Sequence, residues 1–394
     1  MKEMIPYGKH FIDQDDIDAV VDVLINHPLT QGKEVSNFER SVAKFVGAKY
    51  AVAMSSWTAG LHMACIAAGV NETNKIITSP ITFVASSNAS FYCGSKPIFS
   101  DIDKSTVNLC PKHLEDTLND NVNIKVIIPV HFSGVPCEME KIKNIADKNN
   151  AMIIEDAAHA LGARYSDGSM VGSCKYSDMT GFSFHPVKSI AAGEGGMITT
   201  NNKDIYRRLI RLRSHGINKS DDALLDNEAA HTENIRNPWY MEMQELGYNY
   251  RITDIQCALA NSQLKKLPDF IKRRKELAKR YDKAFLNFEP IKPTQSQFRD
   301  QSSHHLYVIK VNFDSGQQIS RATLMTELHK RNIATQVHYI PVTSHPYYKR
   351  LGFSSDDYPN ALDYYKEALS IPLYYSLTNT DQDKVIRSLK ELLA

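Results

Sequence analysis

Neither sign of charge dominates this chain: 46 Lys and Arg stand against 45 Asp and Glu, a formal net charge of +1 at pH 7. Without a basic field there is no electrostatic basis for binding nucleic acid or an anionic membrane surface, and small-molecule partners are expected instead. Cysteine is sparse. Cys65, Cys93, Cys110, Cys137, Cys174 and Cys257 form no CxxC pair and no zinc-type cluster, so they read as reduced core thiols of a cytosolic protein. None of the 14 histidines falls in an HxH or HExxH pair, and no metal centre is expected. No run approaches about 18 consecutive apolar residues, and MKEMIPYGKHFIDQDD lacks the basic-then-apolar pattern of an export signal. The expected location is therefore the cytoplasm, with no membrane span. Internal repeats and low-complexity tracts are also missing.

What is present is an ordinary globular composition, 42% apolar and 23% charged over 394 residues, long enough for about two domains. Two amphipathic runs, Asp15 to Leu24 and Ser36 to Val46, flank the break at LTQG. From Tyr50 onward, short β-rich runs (Tyr50 to Ser55, Lys75 to Thr78, Pro97 to Ile102, Val126 to His131, Ala151 to Glu155, Thr180 to Phe184, Met197 to Thr200) alternate with helical patterns. That alternation predicts an α/β fold, a mostly parallel sheet covered by helices on both faces. A charged helical run from Thr253 through Phe285 is expected to break near Pro268. It bridges a large domain, 1–265, and a smaller C-terminal α/β domain, 266–394, whose runs include His305 to Asn312, Arg321 to Lys330 and Thr335 to Tyr339. The polar span from Asn218 to Pro238 has no periodicity and predicts a mobile loop.

Ligands of a parallel sheet sit at the carboxyl ends of its strands, and four candidate groups fall there. FSFHPVKSIAAGEGG places Lys188 between a strand and a glycine cluster. It is either a solvated loop lysine or a Schiff-base nucleophile that must be desolvated, or placed near positive charge, to lower its pKa. IIEDAAHALG ends a strand on Glu155 and Asp156, with His159 three residues beyond Asp156; the aspartate is either an N-cap or a partner for a protonated ring nitrogen. MSSWTAG opens a helix, so the amides near Thr58 and Ala59 form a cradle for phosphate, as any such helix start could. SPITFVASSNA sets Phe83 at a strand exit, either as core or to stack on a flat cofactor. In chain order these parts are the ones a pyridoxal 5′-phosphate (PLP) site requires. Lys188 meets the aldehyde and later moves a proton as general base and acid, Asp156 meets the ring nitrogen, Thr58 and Ser183 meet the phosphate, and His159 can reach the ring phenolate.

The chain resembles the DegT/StrS-type nucleotide-sugar aminotransferases, fold-type I PLP enzymes, over nearly its whole length. Within them it is similar to the UDP-4-amino-4,6-dideoxy-N-acetyl-β-L-altrosamine transaminases of pseudaminic acid biosynthesis. The resemblance is carried by LTQG from Leu29, the helix start at Ser56 and Thr58, EDAAHALG from Glu155, FSFHPVK from Phe182 and EGG from Glu194. RSHGI from Arg213, ELGYNYRITD from Glu245, HLY from His305, QVHY from Gln336 with Pro341, and ALSIP from Ala368 complete it. It implies Lys188 as Schiff base, Asp156 at the pyridine nitrogen, Phe83 on the ring, and Thr58, Ala59 and Ser183 on the phosphate. It further implies a homodimer in which Asn249 and Arg251 reach the phosphate region of the other subunit's site. Two residues depart from the family. Ser189 follows the lysine where Pro or Asn is usual, and Trp57 stands where relatives carry a small residue, either reshaping the sugar pocket or facing outward.

The resulting expectation is a PLP-dependent transaminase working by a ping-pong cycle through pyridoxamine phosphate. The amino group would pass from L-glutamate to C4 of a UDP-4-keto-6-deoxy-N-acetylhexosamine. Alternatives within the class are a UDP-bacillosamine-type or lipid A arabinose-type 4-aminotransferase; outside it, a PLP-binding sensor without turnover. A 3-dehydratase of the same fold is disfavoured because those relatives carry His where this chain has Lys188. Trp57, His305, His338 and Tyr339 are candidate substrate contacts, the last three with structural roles as the alternative.

Overall fold

The computed structural model describes residues 4–218, 224–313 and 319–394. Its centre is a seven-stranded sheet of β1 (Tyr50–Met54), β2 (Lys75–Thr78), β3 (Pro97–Phe99), β4 (Ile124–Ile128), β5 (Met152–Asp156), β6 (Met179–Ser183) and β7 (Gly196–Thr200). The strands lie in the order β1-β7-β6-β5-β4-β2-β3. Pairing is parallel from β6 through β3, whereas β7 runs antiparallel to both its neighbours. The fold is the α/β, fold-type I architecture expected, with a mostly parallel sheet.

The period-2 alternation of the strands sorts side chains between the two helical layers. Ala51, Ala53, Ile127, Ile153 and Phe182 pack with Phe38 and Val42 of the helix Lys33–Val46, and with Ile142 of the helix Met139–Lys148. Val52, Met54, Val126, Ile128, Ile154 and Met179 pack on the other face with Leu61 and Ala64 of α3 (Trp57–Ala67), Ala89 of α4 (Ala85–Tyr92), and Leu209. Extending the alternation along β5 sends the neighbouring acids opposite ways. Asp156 faces the α3/α4 layer, and Glu155 faces away from it.

The helix Asp254–Phe285 runs unbroken through Pro268, contrary to the break expected there. Pro268 removes one backbone donor at a cost of about 3 kcal/mol, but both flanks are anchored. Cys257, Ala260, Leu264 and Leu267 belong to the first core. Leu277, Ala278, Tyr281 and Phe285 belong to another, built with Ile309, Leu324 and Leu369 and with Ile5 from the start of the chain. The position 265/266 thus lies inside a helix that serves both cores. The second core backs a three-stranded antiparallel sheet, Ile291–Pro293, Tyr307–Val311 and Ala368–Ile371. Residues 335–339 do not form the strand their pattern suggests. Gln336 makes a single bridge to Ser370, and the segment turns toward the central sheet.

The span expected as a mobile loop is also corrected in part. Residues 219–223 lie outside the described residues, but Asn227–Ala230 is a short helix and His231–Thr232 pairs with Ile235–Arg236 as a hairpin. Its turn residues Glu233 and Asn234 both take positive φ, so turn chemistry at this site outweighs the missing periodicity.

Candidate active site

Between β6 and β7 the chain must reverse direction, and residues 184–195 make that return at the carboxyl end of the sheet, next to the end of β5. Lys188 sits on the return, its amide donating to the carbonyl of His185 at 2.8 Å. A cavity of about 700 Å³ opens there, lined by Ser56, Trp57, Thr58, Phe83, Ser86, Asp156, His159, Ser183, Lys188, His305, His338 and Tyr339, among others. The fold therefore brings together lysine, aspartate, histidine, helix start, serine and aromatic from separate stretches. Phe83 is not core: it is 61% exposed at the cavity.

Desolvation in this cavity pulls the Lys188 ammonium down to about 8, an effect that the negative charge of Asp156 opposes. Such a lysine is a far better nucleophile at neutral pH than a surface one. The phosphate-type cradle is built by Ser56, whose side chain caps α3 by accepting from the Ala59 amide at 3.1 Å, so that Trp57 and Thr58 head the first turn. Backbone crowding fixes this turn against the sheet: a Cβ on Gly196 would lie 2.6 Å from the Trp57 nitrogen and 2.7 Å from the Ser56 carbonyl.

Asp156 is buried and accepts three hydrogen bonds: from Trp57 Nε1 to Oδ1 at 2.8 Å, from the Ala158 amide to Oδ1 at 3.2 Å, and from Ser86 Oγ to Oδ2 at 2.6 Å. The outward orientation considered for Trp57 is excluded, since the residue is only 6% exposed and its indole turns in beneath the cavity. Ser86 was not singled out by sequence; a serine in a Ser/Ala-rich helix start carries no signal until the helix is docked on Asp156.

His159 has a defined polarity. Its Nδ1 accepts from the Ser133 amide at 3.3 Å, which assigns the ring proton to Nε2, and Nε2 then donates to Tyr339 Oη at 3.1 Å. Desolvation, with the Lys188 charge adding to it, pushes the pKa of His159 well below the ordinary histidine value, so the ring is neutral. His305 packs against it, tilted by 34° with ring centroids 4.2 Å apart, and its own pKa is likewise held well down by burial. His338 accepts or donates through Nδ1 to Ser370 Oγ at 2.8 Å and is lowered to about 3, mainly by desolvation. Burial raises the Tyr339 phenol, keeping it a neutral hydroxyl.

Asn249 and Arg251 are not brought to this cavity within the chain. Asn249 bridges to Ser214, and Arg251 donates to Ser214 Oγ at 3.0 Å along a separate groove that also includes Gln31, Glu39 and Arg211. Beneath the site, on the far face of β5, Glu155 accepts from His131 Nε2 and Tyr165 Oη at 2.6 Å each, Ser177 Oγ at 2.5 Å and Thr180 Oγ1 at 2.9 Å. Among the described residues, no group of three or more His, Cys, Asp or Glu could hold a metal, and no helix is long and apolar enough to cross a membrane.

A lysine of lowered pKa, a buried acceptor carboxylate, a helix N-terminus and an exposed ring around one cavity fit a flat, phosphorylated aldehyde cofactor. The comparisons agree. Residues 10–390 match the model of the DegT/DnrJ/EryC1/StrS aminotransferase family, and the chain belongs to that family. It is a PLP-dependent sugar aminotransferase. It is 38% identical over 391 residues to the UDP-4-amino-4,6-dideoxy-N-acetyl-β-L-altrosamine transaminase of Campylobacter jejuni strain 81-176, covering 99% of this chain and 98% of that one. Among solved structures, Helicobacter pylori PseC, an aminotransferase involved in pseudaminic acid biosynthesis, superposes with a TM-score of 0.88 at 30% identity, over 99% of both chains. The PLP form of Spr1654 from Streptococcus pneumoniae superposes with a TM-score of 0.88 at 28% identity, over 99% of this chain and 98% of that one.

Proposed function

We propose that the enzyme moves an amino group from L-glutamate to the C4 keto carbon of a UDP-linked 4-keto-6-deoxy-N-acetylhexosamine, giving UDP-4-amino-4,6-dideoxy-N-acetyl-β-L-altrosamine. The observation that carries this reading is the end-to-end similarity to the Campylobacter transaminase, together with a cavity whose polar groups suit the chemistry. When bound, PLP would supply the electron sink that lets the amino group leave the donor carbon and be carried to the acceptor carbon. Lys188 would be the residue that holds it covalently, and its amine, when free, could carry a proton as base and acid. Asp156 would accept from the ring nitrogen, Phe83 would cover the ring, and Thr58, Ala59 and Ser183 would hold the phosphate. His159, neutral and bonded through Nε2 to Tyr339 Oη, would stand within reach of the ring phenolate. His305, His338 and Tyr339 line the wall that meets the sugar nucleotide, leaving the remainder of the cavity for the hexose.

The active form is a homodimer in which Asn249 and Arg251 of each subunit complete the other's site. Two features support this. Both residues lie away from their own cavity, and the adjoining segment exposes Leu225, Ile235, Trp239, Met241, Met243 and Leu246, an apolar surface that a second copy would cover.

The substrate test is a competition between the L-arabino and D-xylo 4-keto epimers with glutamate as donor, following 2-oxoglutarate release. The expected result is a higher kcat/KM for the L-arabino sugar. A preference for the D-xylo epimer would reassign the enzyme to the bacillosamine-type reaction, and absence of 2-oxoglutarate with either would refute glutamate as donor.

A further inference from the structure

Asp156 is held more tightly than its place at a strand end requires. A carboxylate offers about four lone-pair positions. Trp57 Nε1 and the Ala158 amide take both positions on Oδ1, and Ser86 Oγ takes one on Oδ2. Ser86 is itself backed by Thr82 Oγ1 at 2.7 Å, which leaves its proton for the carboxylate. One acceptor position therefore remains, on Oδ2.

The indole is built into its place sterically. A Cβ on Gly181, which pairs with Asp156 across β5 and β6, would lie 1.6 Å from Trp57 Cη2. One on Gly60 would lie 2.6 Å from Trp57 Cε3. Both positions carry glycine, and the space their side chains would fill is occupied by this ring. An indole N–H can only donate, so the contact selects an unprotonated Oδ1 and fixes the carboxylate rotamer.

We propose that Trp57 is a positioning residue for the cofactor chemistry: its indole N–H locks Asp156 as the acceptor for a ring nitrogen. This rests on the reading of Asp156 as the partner of the PLP nitrogen, and it moves Trp57 from the sugar wall to the floor beneath the cofactor. The Trp57–Asp156 pair acts as a unit, so removing the indole matters only while residue 156 is a carboxylate.

A double-mutant cycle on PLP dissociation constants tests this, using apoprotein titrated with PLP for the wild type, Trp57→Phe, Asp156→Asn and the double variant. Trp57→Phe removes one hydrogen bond to a charged group and should weaken PLP binding roughly 10- to 100-fold. In the Asp156→Asn background the same change should have little further effect. A full Trp57→Phe loss in both backgrounds would overturn the proposal and make the indole a packing group. An unchanged affinity in Trp57→Phe alone would also overturn it. Asp156→Asn binding PLP as well as wild type would instead remove the reading on which it rests. A second measurement leaves Trp57 in place. The chain has 2 tryptophans, so ¹⁵N indole spectra of the full-length protein give two signals to assign. That of Trp57 should exchange slowly and shift both on PLP addition and in Asp156→Asn, with Trp239 unmoved. A Trp57 signal indifferent to Asp156→Asn would overturn the proposal.

Discussion

Lys188 offers the sharpest quantitative check, because its environment sets how much free amine the protein presents. Burial lowers it from 10.5 to about 8. At neutral pH the free-amine fraction is then larger by roughly 300-fold, ten raised to the difference of about 2.5 between these values. The sign of each contribution can be tested separately. Asp156 carries a negative charge that stabilises the ammonium, so Asp156→Asn should lower the Lys188 pKa further, even as it damages cofactor binding. The assay is pH-dependent acetylation of the apoprotein, with the Lys188 peptide quantified by mass spectrometry against exposed lysines such as Lys104 and Lys141. The wild-type midpoint should fall near 8, with the Asp156→Asn midpoint below it. A wild-type midpoint at or above 10 would refute desolvation as the means of activation, and an upward move in Asp156→Asn would refute the electrostatic argument.

Other outcomes follow from the same network and surface. Glu155→Gln replaces the acceptor shared by His131, Tyr165, Ser177 and Thr180. It should destabilise the protein by about 3 kcal/mol near pH 7, read as a lower urea midpoint. Burial is the largest single influence on the Glu155 carboxyl and would raise it, but the His131 charge and the donors together outweigh burial and hold the carboxyl below its ordinary value. Its stabilisation is therefore present above the ordinary carboxylate range and is lost as pH falls below it, so the gap between variant and wild type should close in acid; a gap independent of pH would contradict this. For the dimer, refolding a mixture of the inactive variants Lys188→Ala and Arg251→Ala should restore roughly a quarter of the sites, since each hybrid carries one intact site. No recovery in demonstrated hybrids would place Arg251 outside the other subunit's site.

The sequence by itself determined the alternation of strands and helices, and with it a sheet whose carboxyl edge carries Lys188, Asp156 and the α3 start. These are local properties: period-2 burial, a cap at Ser56, and glycines that reverse the chain after Phe184. Alternation also separates Asp156 from Glu155, once the strand's two faces are distinguished. Tertiary structure decided where side chains meet partners far along the chain. Trp57 and Asp156 are 99 residues apart, and Tyr339 reaches His159 across 180; no local pattern encodes either contact. The same holds for Asp254, whose carboxylate accepts from the amides of Gly32 at 2.8 Å and Glu34 at 2.9 Å and so caps a helix that its own N-cap glycine cannot. Pro268 shows the opposite limit. Its intrinsic cost was legible, but the packing that overrides it came from two cores that exist only after the chain has folded.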